Sequence, residues 1–376
     1  MYRDLGYYYA YMIKPRSDAG GNYKFFAYAD SKSNNEDTDL EYGREYLVFN
    51  PVLFGLSGSS YTEQAALVKW SRDTAENRNG RPWPYDTTLR LLVSRILFSD
   101  ELKPVQGQSP TQLGLPASKA LGNGTFVFRS GFDSQDDTAI KFNATKWMCN
   151  YGGHGRPEFA EFQIVKYGDL TTKRNGSKGG IEGKHWFKHG YGNWMAVIDP
   201  ADPLDRWGHR WGGYRTDFDE KEIDPNSPVW QPGGENHAGD VVAKELQGET
   251  HDYVDYLYSN AWGANVDYSE REFVYLRSQG GVDDEYVVCY DRIESSNKAA
   301  RKFFQLQIPF DADVYDSSNH SVPWVAAPEG GKWTVAGSSP AENNIVESVN
   351  AWAGNTSHEK LYNKTLLPDR RSRSLL

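Results

Sequence analysis

The sequence predicts an α+β chain of more than one domain, with helices in roughly its first hundred residues and a large antiparallel β-sandwich after them. An apolar stripe of helical period lies before residue 100, short β-prone runs bounded by turn residues follow residue 124, and a stretch rich in Gly, Pro, Ser and Gln separates the two. Aromatics make up 14% of the 376 residues, with 12 Trp and 24 Tyr, against 38% hydrophobic residues in all. That mixture suits broad sheets and sugar-stacking surfaces better than a helical bundle.

The first helical signal begins near Ser60, where Ser60 and Glu63 have capping-box spacing and Tyr61, Ala65 and Val68 would share one face. Over 87–98, Leu89, Leu92, Val93, Ile96 and Leu97 fall at helical spacing, with Asp86 as N-cap, Pro84 just upstream and Pro104 beyond the end. Residues 1–106 are therefore expected to be helical, 107–124 a linker, and 125–376 the sandwich. Within the last segment, 125–128, 139–142, 161–165, 195–198, 272–276 and 286–290 read as strands. Phe304, Leu306 and Ile308 alternate with Gln305 and Gln307, the pattern of a half-buried antiparallel strand. Serial strands without helices between them indicate a sandwich and not an α/β sheet. Residues 199–248, rich in Gly, Pro, Asp and Trp, read as long surface loops.

The formal net charge is −10 and the pI about 5.4, so a nucleic acid, an anionic membrane or an acidic glycan could be held only by a locally basic patch. No nucleic-acid or membrane partner is expected. No run of about 18 apolar residues is present, and the opening Met1-Tyr2-Arg3-Asp4 does not start a signal peptide. Cys149 and Cys289 are too few for a disulfide framework and sit in apolar-aromatic stretches, where free buried thiols are expected, with a single bridge as the other possibility. Six Asn-x-Ser/Thr sequons, at Asn123, Asn143, Asn175, Asn319, Asn355 and Asn363, favour a secreted surface.

The most distinctive segment, 152–162, reads Gly-Gly-His-Gly-Arg-Pro-Glu-Phe-Ala-Glu-Phe. His154 lies between glycines and ahead of a strand whose Phe162 and Ile164 should point inward, which would put the imidazole at a sheet rim. Arg156 and Glu158 add a charge of each sign beside it. The other reading of the segment is a turn whose charges pair on the surface. Two aromatic-basic clusters follow, one containing Trp186, His189 and Asn193, the other Trp207, Arg210, Trp211 and Arg215. Indole faces stack on pyranose rings while guanidinium groups hold carboxylate or sulfate, although loops pinned by their own aromatics would look the same. Asp133, Asp136 and Asp137 form an acidic turn, a calcium ligand set or merely a solvated loop. Walker, nucleophile-elbow, His-Glu-x-x-His and dinucleotide motifs do not occur.

Taken in order, several segments resemble the heparinase II/III-like polysaccharide lyase family. Phe128-Arg129-Ser130-Gly131-Phe132 and 137–142 look like the first strands of its sandwich, and Gly153-His154 running into Phe162-Gln163-Ile164 is similar to its central His-x-His-x-Asp region. Asn193 before Ala196-Val197-Ile198-Asp199, then Ser259-Asn260-Ala261-Trp262, 271–276, 287–292 and Lys364-Thr365-Leu366-Leu367-Pro368 continue the likeness, and 26–31 resembles a loop late in the family's helical toroid.

The resemblance implies that the N-terminal helices are the end of an α/α toroid and that the activity is β-elimination on a uronic-acid polysaccharide. That chemistry needs the uronate carboxylate neutralised, a base for the C5 proton and an acid for the departing O4. His154 matches the family's catalytic sandwich histidine. Arg156, Glu158 and the two aromatic-basic clusters are the implied substrate contacts. The zinc ligands of relatives are replaced, the second histidine by Arg156 and the later one by Gly192, so no metal or other cofactor is expected. The toroid tyrosine and its partner would precede residue 1 and the last sandwich strands would follow Leu376, so the chain is expected to be a fragment of a secreted or periplasmic lyase. The alternatives are a non-catalytic carbohydrate-binding sandwich and a purely structural domain.

Overall fold

The structure is a computed structural model, and it describes residues 2–15, 26, 61–78, 105–122, 124–147, 159–166, 170–171, 195–198, 228, 237–246, 248, 250–262, 266–278, 284–304, 312–315, 325–327, 330–332, 345–350 and 359–364. Two helices come first, α1 (Tyr2–Met12) and α2 (Thr62–Arg78). A Cβ at Gly6 would sit 2.8 Å from the Gln64 carbonyl oxygen, so glycine there lets the two helices touch closely. In α2, Ala65 and Val68 are buried as the spacing predicts, but Tyr61 precedes the helix and is 42% exposed. The helical stripe over 87–98 lies outside the described residues, as does Ser60.

The stretch expected to be a linker is docked on the helices over much of its length. Gln108 N–H donates to the Ala66 carbonyl at 3.2 Å, and the Tyr11 hydroxyl donates to the Pro116 carbonyl at 2.5 Å. Its end forms strand β1 (Lys119–Ala120), which pairs with β2.

The first sheet runs β1-β2-β3-β4, with β2 (Thr125–Arg129), β3 (Ala139–Asn143) and β4 (Phe162–Val165), all antiparallel. Every residue of β2, β3 and β4 is buried, because both faces are covered. Phe126, Phe128, Ile140, Phe142, Phe162 and Ile164 face one core, and Val127, Ala139 and Val165 face another shared with α1 and α2. Alternation along each strand sends successive side chains to opposite faces, so both sets had to be apolar or internally paired.

The second sheet runs β6-β7-β8-β9, with β6 (Asp240–Glu245), β7 (His251–Leu257), β8 (Val266–Leu276) and β9 (Tyr286–Ser295), again antiparallel. Its inner face meets the first sheet through Phe273, whose ring lies 5.6 Å from Phe128, 4.7 Å from Phe142 and 5.3 Å from Phe162. The order is helices, sheet, sheet. Small antiparallel pairings complete the described residues: β5 (Met195–Ile198) with β10 (Arg301–Phe304), β12 (Val325–Ala327) with β13 (Gly330–Lys332), and β11 (Ala312–Tyr315) with β14 (Ile345–Asn350) and β15 (Glu359–Lys364).

Two expectations are corrected. Strand β6 lies inside the stretch read as loops, because its sequence Asp-Val-Val-Ala-Lys-Glu carries a bulge at Val242 that breaks the alternation. Phe304 lies in β10 and is 44% exposed, resting on the Phe162 ring, while the rest of the alternating run at 305–308 lies outside the described residues. Asn143 is buried in β3 and accepts a hydrogen bond from the Thr125 hydroxyl at 3.2 Å, so that sequon cannot present its amide to a glycosylating enzyme. Cys289 is a free thiol, and burial pushes its pKa up to about 12. The acidic turn is built around Asp137, whose carboxylate accepts from Ser134 N–H at 3.0 Å.

Candidate functional site

His154, Arg156, Glu158, Trp186, His189, Asn193, Trp207, Arg210, Trp211 and Arg215 all lie outside the described residues. What it does describe is the anchor of the His154 segment. Phe159 and Ala160 make the turn into β4, with Ala160 in the left-handed region at φ 57°. Ala160 N–H donates to Asn143 O and Asn143 N–H donates to Glu161 O, each at 2.8 Å. Arg271 Nη1 donates to the Ala160 carbonyl.

Arg271 is fully buried and forks onto Asp291, Nε to Oδ1 at 2.7 Å and Nη2 to Oδ2 at 2.9 Å. Burial alone would lower its pKa, but Asp291 outweighs that and raises it, so the charge is permanent. Its guanidinium also lies 5.7 Å from the Phe162 ring centre and 5.5 Å from that of Phe304. One side chain thus ties β8, β9, β10 and the turn at the end of the His154 segment. On the helix-facing side of the first sheet, Lys141 and Glu161 are buried, and burial lowers the Lys141 pKa against the pull of Glu161.

A second polar knot sits where β3 and β4 meet the second sheet. Glu285 accepts from Lys166 Nζ at 2.5 Å, from the Tyr275 hydroxyl at 2.8 Å and from the Thr138 hydroxyl. Burial opposes its ionisation, but these partners hold its pKa below the usual carboxylate range. A third is centred on His237, whose Nδ1 lies 3.3 Å from Asn260 Nδ2 and whose Nε2 is 3.0 Å from Asp240 Oδ2, within ion-pair range but not aligned as a hydrogen bond. Lys146 Nζ is 3.2 Å from the other Asp240 oxygen, and Trp147 stands edge-on to the imidazole. Burial opposes the Asp240 charge, yet Lys146 and His237 prevail and lower its pKa. With Nε2 closed off from solvent, His237 is suited to pinning 146–147 against 237–240 and not to meeting a substrate.

The outer face of the second sheet carries a group that sequence reasoning missed. Register places Ala243, Asp255, Glu272 and Tyr290 in one row across its four strands, with Leu257, Glu270 and Arg292 in the row beside it. The Tyr253 hydroxyl donates to Glu272 Oε2 at 3.1 Å, and Arg292 Nη1 donates to Glu270 Oε2 at 3.0 Å while stacking 5.1 Å over Tyr268. Burial, then the charges of Glu270 and Glu272, pushes the Asp255 pKa up to about 6. The available signal was the alternation of Tyr268, Glu270 and Glu272 with Ser269, Arg271 and Phe273, which assigns the carboxylates to one face. Among the described residues no group of three or more His, Cys, Asp or Glu is arranged to hold a metal ion.

In comparison with known proteins, the chain matches no family model and no curated relative.

Proposed function

We propose that this chain is the sandwich-bearing part of a polysaccharide lyase of the heparinase II/III-like kind, cleaving a uronic-acid polymer by β-elimination. The observation that carries the reading is the anchor of the 152–162 segment. A left-handed alanine, held by backbone bonds to β3 and by a buried guanidinium, fixes the exit of that segment at the head of β4. Strained backbone that is over-determined by its surroundings is a way of holding a reactive side chain in one geometry. In this reading His154 exchanges a proton at the reacting sugar, and Arg156 neutralises the uronate carboxylate so that the C5 proton becomes acidic. Glu158 orients the pair, while Trp186, His189, Asn193, Trp207, Arg210, Trp211 and Arg215 stack on and bind the flanking sugars.

The same reading takes α1 and α2 as the last helices of an α/α toroid and the protein as exported. A toroid tyrosine with a histidine or asparagine would supply the remaining acid-base group.

The test is absorbance of the unsaturated uronate after incubation of the chain, joined to its toroid, with heparin, heparan, chondroitin, alginate or ulvan. Product from one of these substrates, reduced by His154→Ala by about a hundredfold or more, is expected. Retention on immobilised glycan without product would replace the lyase reading with a binding one.

A further inference from the structure

The second sheet ends in two strands of different character. At one edge, β6 is six residues long, bulges at Val242 and presents Lys244 to solvent. Bulges and edge lysines keep a strand from recruiting another. At the other edge, β9 is ten residues long and has neither. Its sequence Tyr-Val-Val-Cys-Tyr-Asp-Arg-Ile-Glu-Ser contains no Pro, Gly or Lys, and the register shift against β8 puts the extra residue, Asp267, on β8. Among the described residues β8 is the one strand it pairs with.

Burial marks the same edge. Ser269, Arg271, Phe273 and Tyr275 on the inner face of β8 are buried, whereas no residue of β9 is. Val287, Cys289 and Ile293 pack on the core and still keep partial exposure. On the outer face Tyr286, Val288 and Tyr290 stand exposed in a row, and aromatic and β-branched side chains are the ones that cross-strand pairing favours.

These residues are self-complementary. In antiparallel pairing of two copies of β9 about a two-fold axis at Val288, Val288 meets Val288, Tyr286 meets Tyr290, and the exposed Asp284 meets Arg292 at each end. On the inner face Val287 meets Cys289. Glu285 and Asp291 are opposed there too, but Lys166 balances the first at 2.5 Å and Arg271 the second at 2.7 Å. An axis at Tyr290 would set Val288 against Arg292 and Tyr286 against Glu294, so charge matching selects Val288.

We propose that β9 is a dimerisation edge, pairing with the β9 of a second copy of this chain about Val288 and joining the two four-stranded sheets edge to edge. A second copy is favoured over a foreign strand because each outer-face side chain from Asp284 to Arg292 finds its match in the same sequence run in reverse. The interface uses neither the 152–162 segment nor the inner core, so it stands apart from the lyase reading. One strand from each partner makes a small interface, with a dissociation constant on the order of micromolar.

The test is sedimentation velocity of the full chain over about 1–100 μM, where a monomer–dimer equilibrium is expected. Val288→Lys places two ammonium groups on the axis and Asp284→Lys sets a cation against Arg292, and each is expected to weaken association about tenfold or more. Both positions are exposed, and far-UV circular dichroism verifies that the variants are folded. In a Cys289→Ala background, Val288→Cys is expected to form a disulfide between subunits under mild oxidation, while Tyr290→Cys and the background protein do not. A monomer at every concentration would overturn the proposal and leave the edge to a strand from another protein. A dimer indifferent to Val288→Lys would overturn it as well, and so would a crosslink through Tyr290→Cys in place of Val288→Cys.

Discussion

Arg271 concentrates the residue-scale problem of this fold. Taking a guanidinium and a carboxylate out of water costs several kcal/mol per ion, and only well-aligned bonds offset it. Here the fork onto Asp291 uses Nε and Nη2, and Nη1 is left for the Ala160 carbonyl. Replacing Arg271 by Met leaves Asp291 buried without its cation and is expected to lower unfolding free energy by about 3–5 kcal/mol. Arg271→Met/Asp291→Leu should recover most of that loss. Urea unfolding of the parent, single and double variants decides it, and a double variant no better than the single would refute the pairing as the source of the cost. None of this was legible from residues alone. An arginine at position 271 between Glu270 and Glu272 reads as one more surface charge, because pattern reasoning sees the strand's polarity but not the partner twenty residues on.

Among the elements, β2, β3, β4, β5 and β9 were legible, and β5 even to its ends, because β-branched and aromatic residues bounded by turn formers leave few other conformations. Strand β7 was not, since Asp252 and Asp255 place a carboxylate on each of its faces and blur the alternation. Those two aspartates are treated oppositely by the fold. Asp252 is buried and bonded to Ser118 and Arg277, whereas Asp255 faces Glu270 and Glu272. With a folded-state pKa near 6 against an ordinary 3.8, Asp255 holds its proton more tightly in the native protein than in the unfolded chain. Its contribution to stability is therefore complete below pH 3.8 and is lost as pH rises through 6. Asp255→Asn should raise the stability at pH 8 by on the order of 1 kcal/mol after allowing for solvent screening, with no gain at pH 4. Melting temperatures at the two pH values test this, and an equal shift at both would contradict it.

At the scale of the molecule, the first sheet is the shared layer, packed on helices through Val127, Ala139 and Val165 and on the second sheet through its phenylalanines. Phe273 touches three of those rings, so Phe273→Ala should cost about 3–5 kcal/mol and still leave one transition. Coincident far-UV dichroism and tryptophan fluorescence curves would report that unity, and separated curves would show the layers to be independent. Composition and strand spacing made the β-rich antiparallel character readable beforehand, but the covering of both faces of β2–β4 was hidden. Polar residues such as Arg129, Lys141 and Gln163 occupy the helix-facing side, where paired burial and not hydrophobicity satisfies them.

A sheet closed on both sides leaves only its perimeter open to change. The hairpin tip at Asp133–Asp136 crosses none of the packed surfaces, so foreign sequence spliced there would meet solvent and no core. This protein should therefore accept a displayed epitope or a fused domain at that tip while rejecting even modest enlargement one strand-length inward.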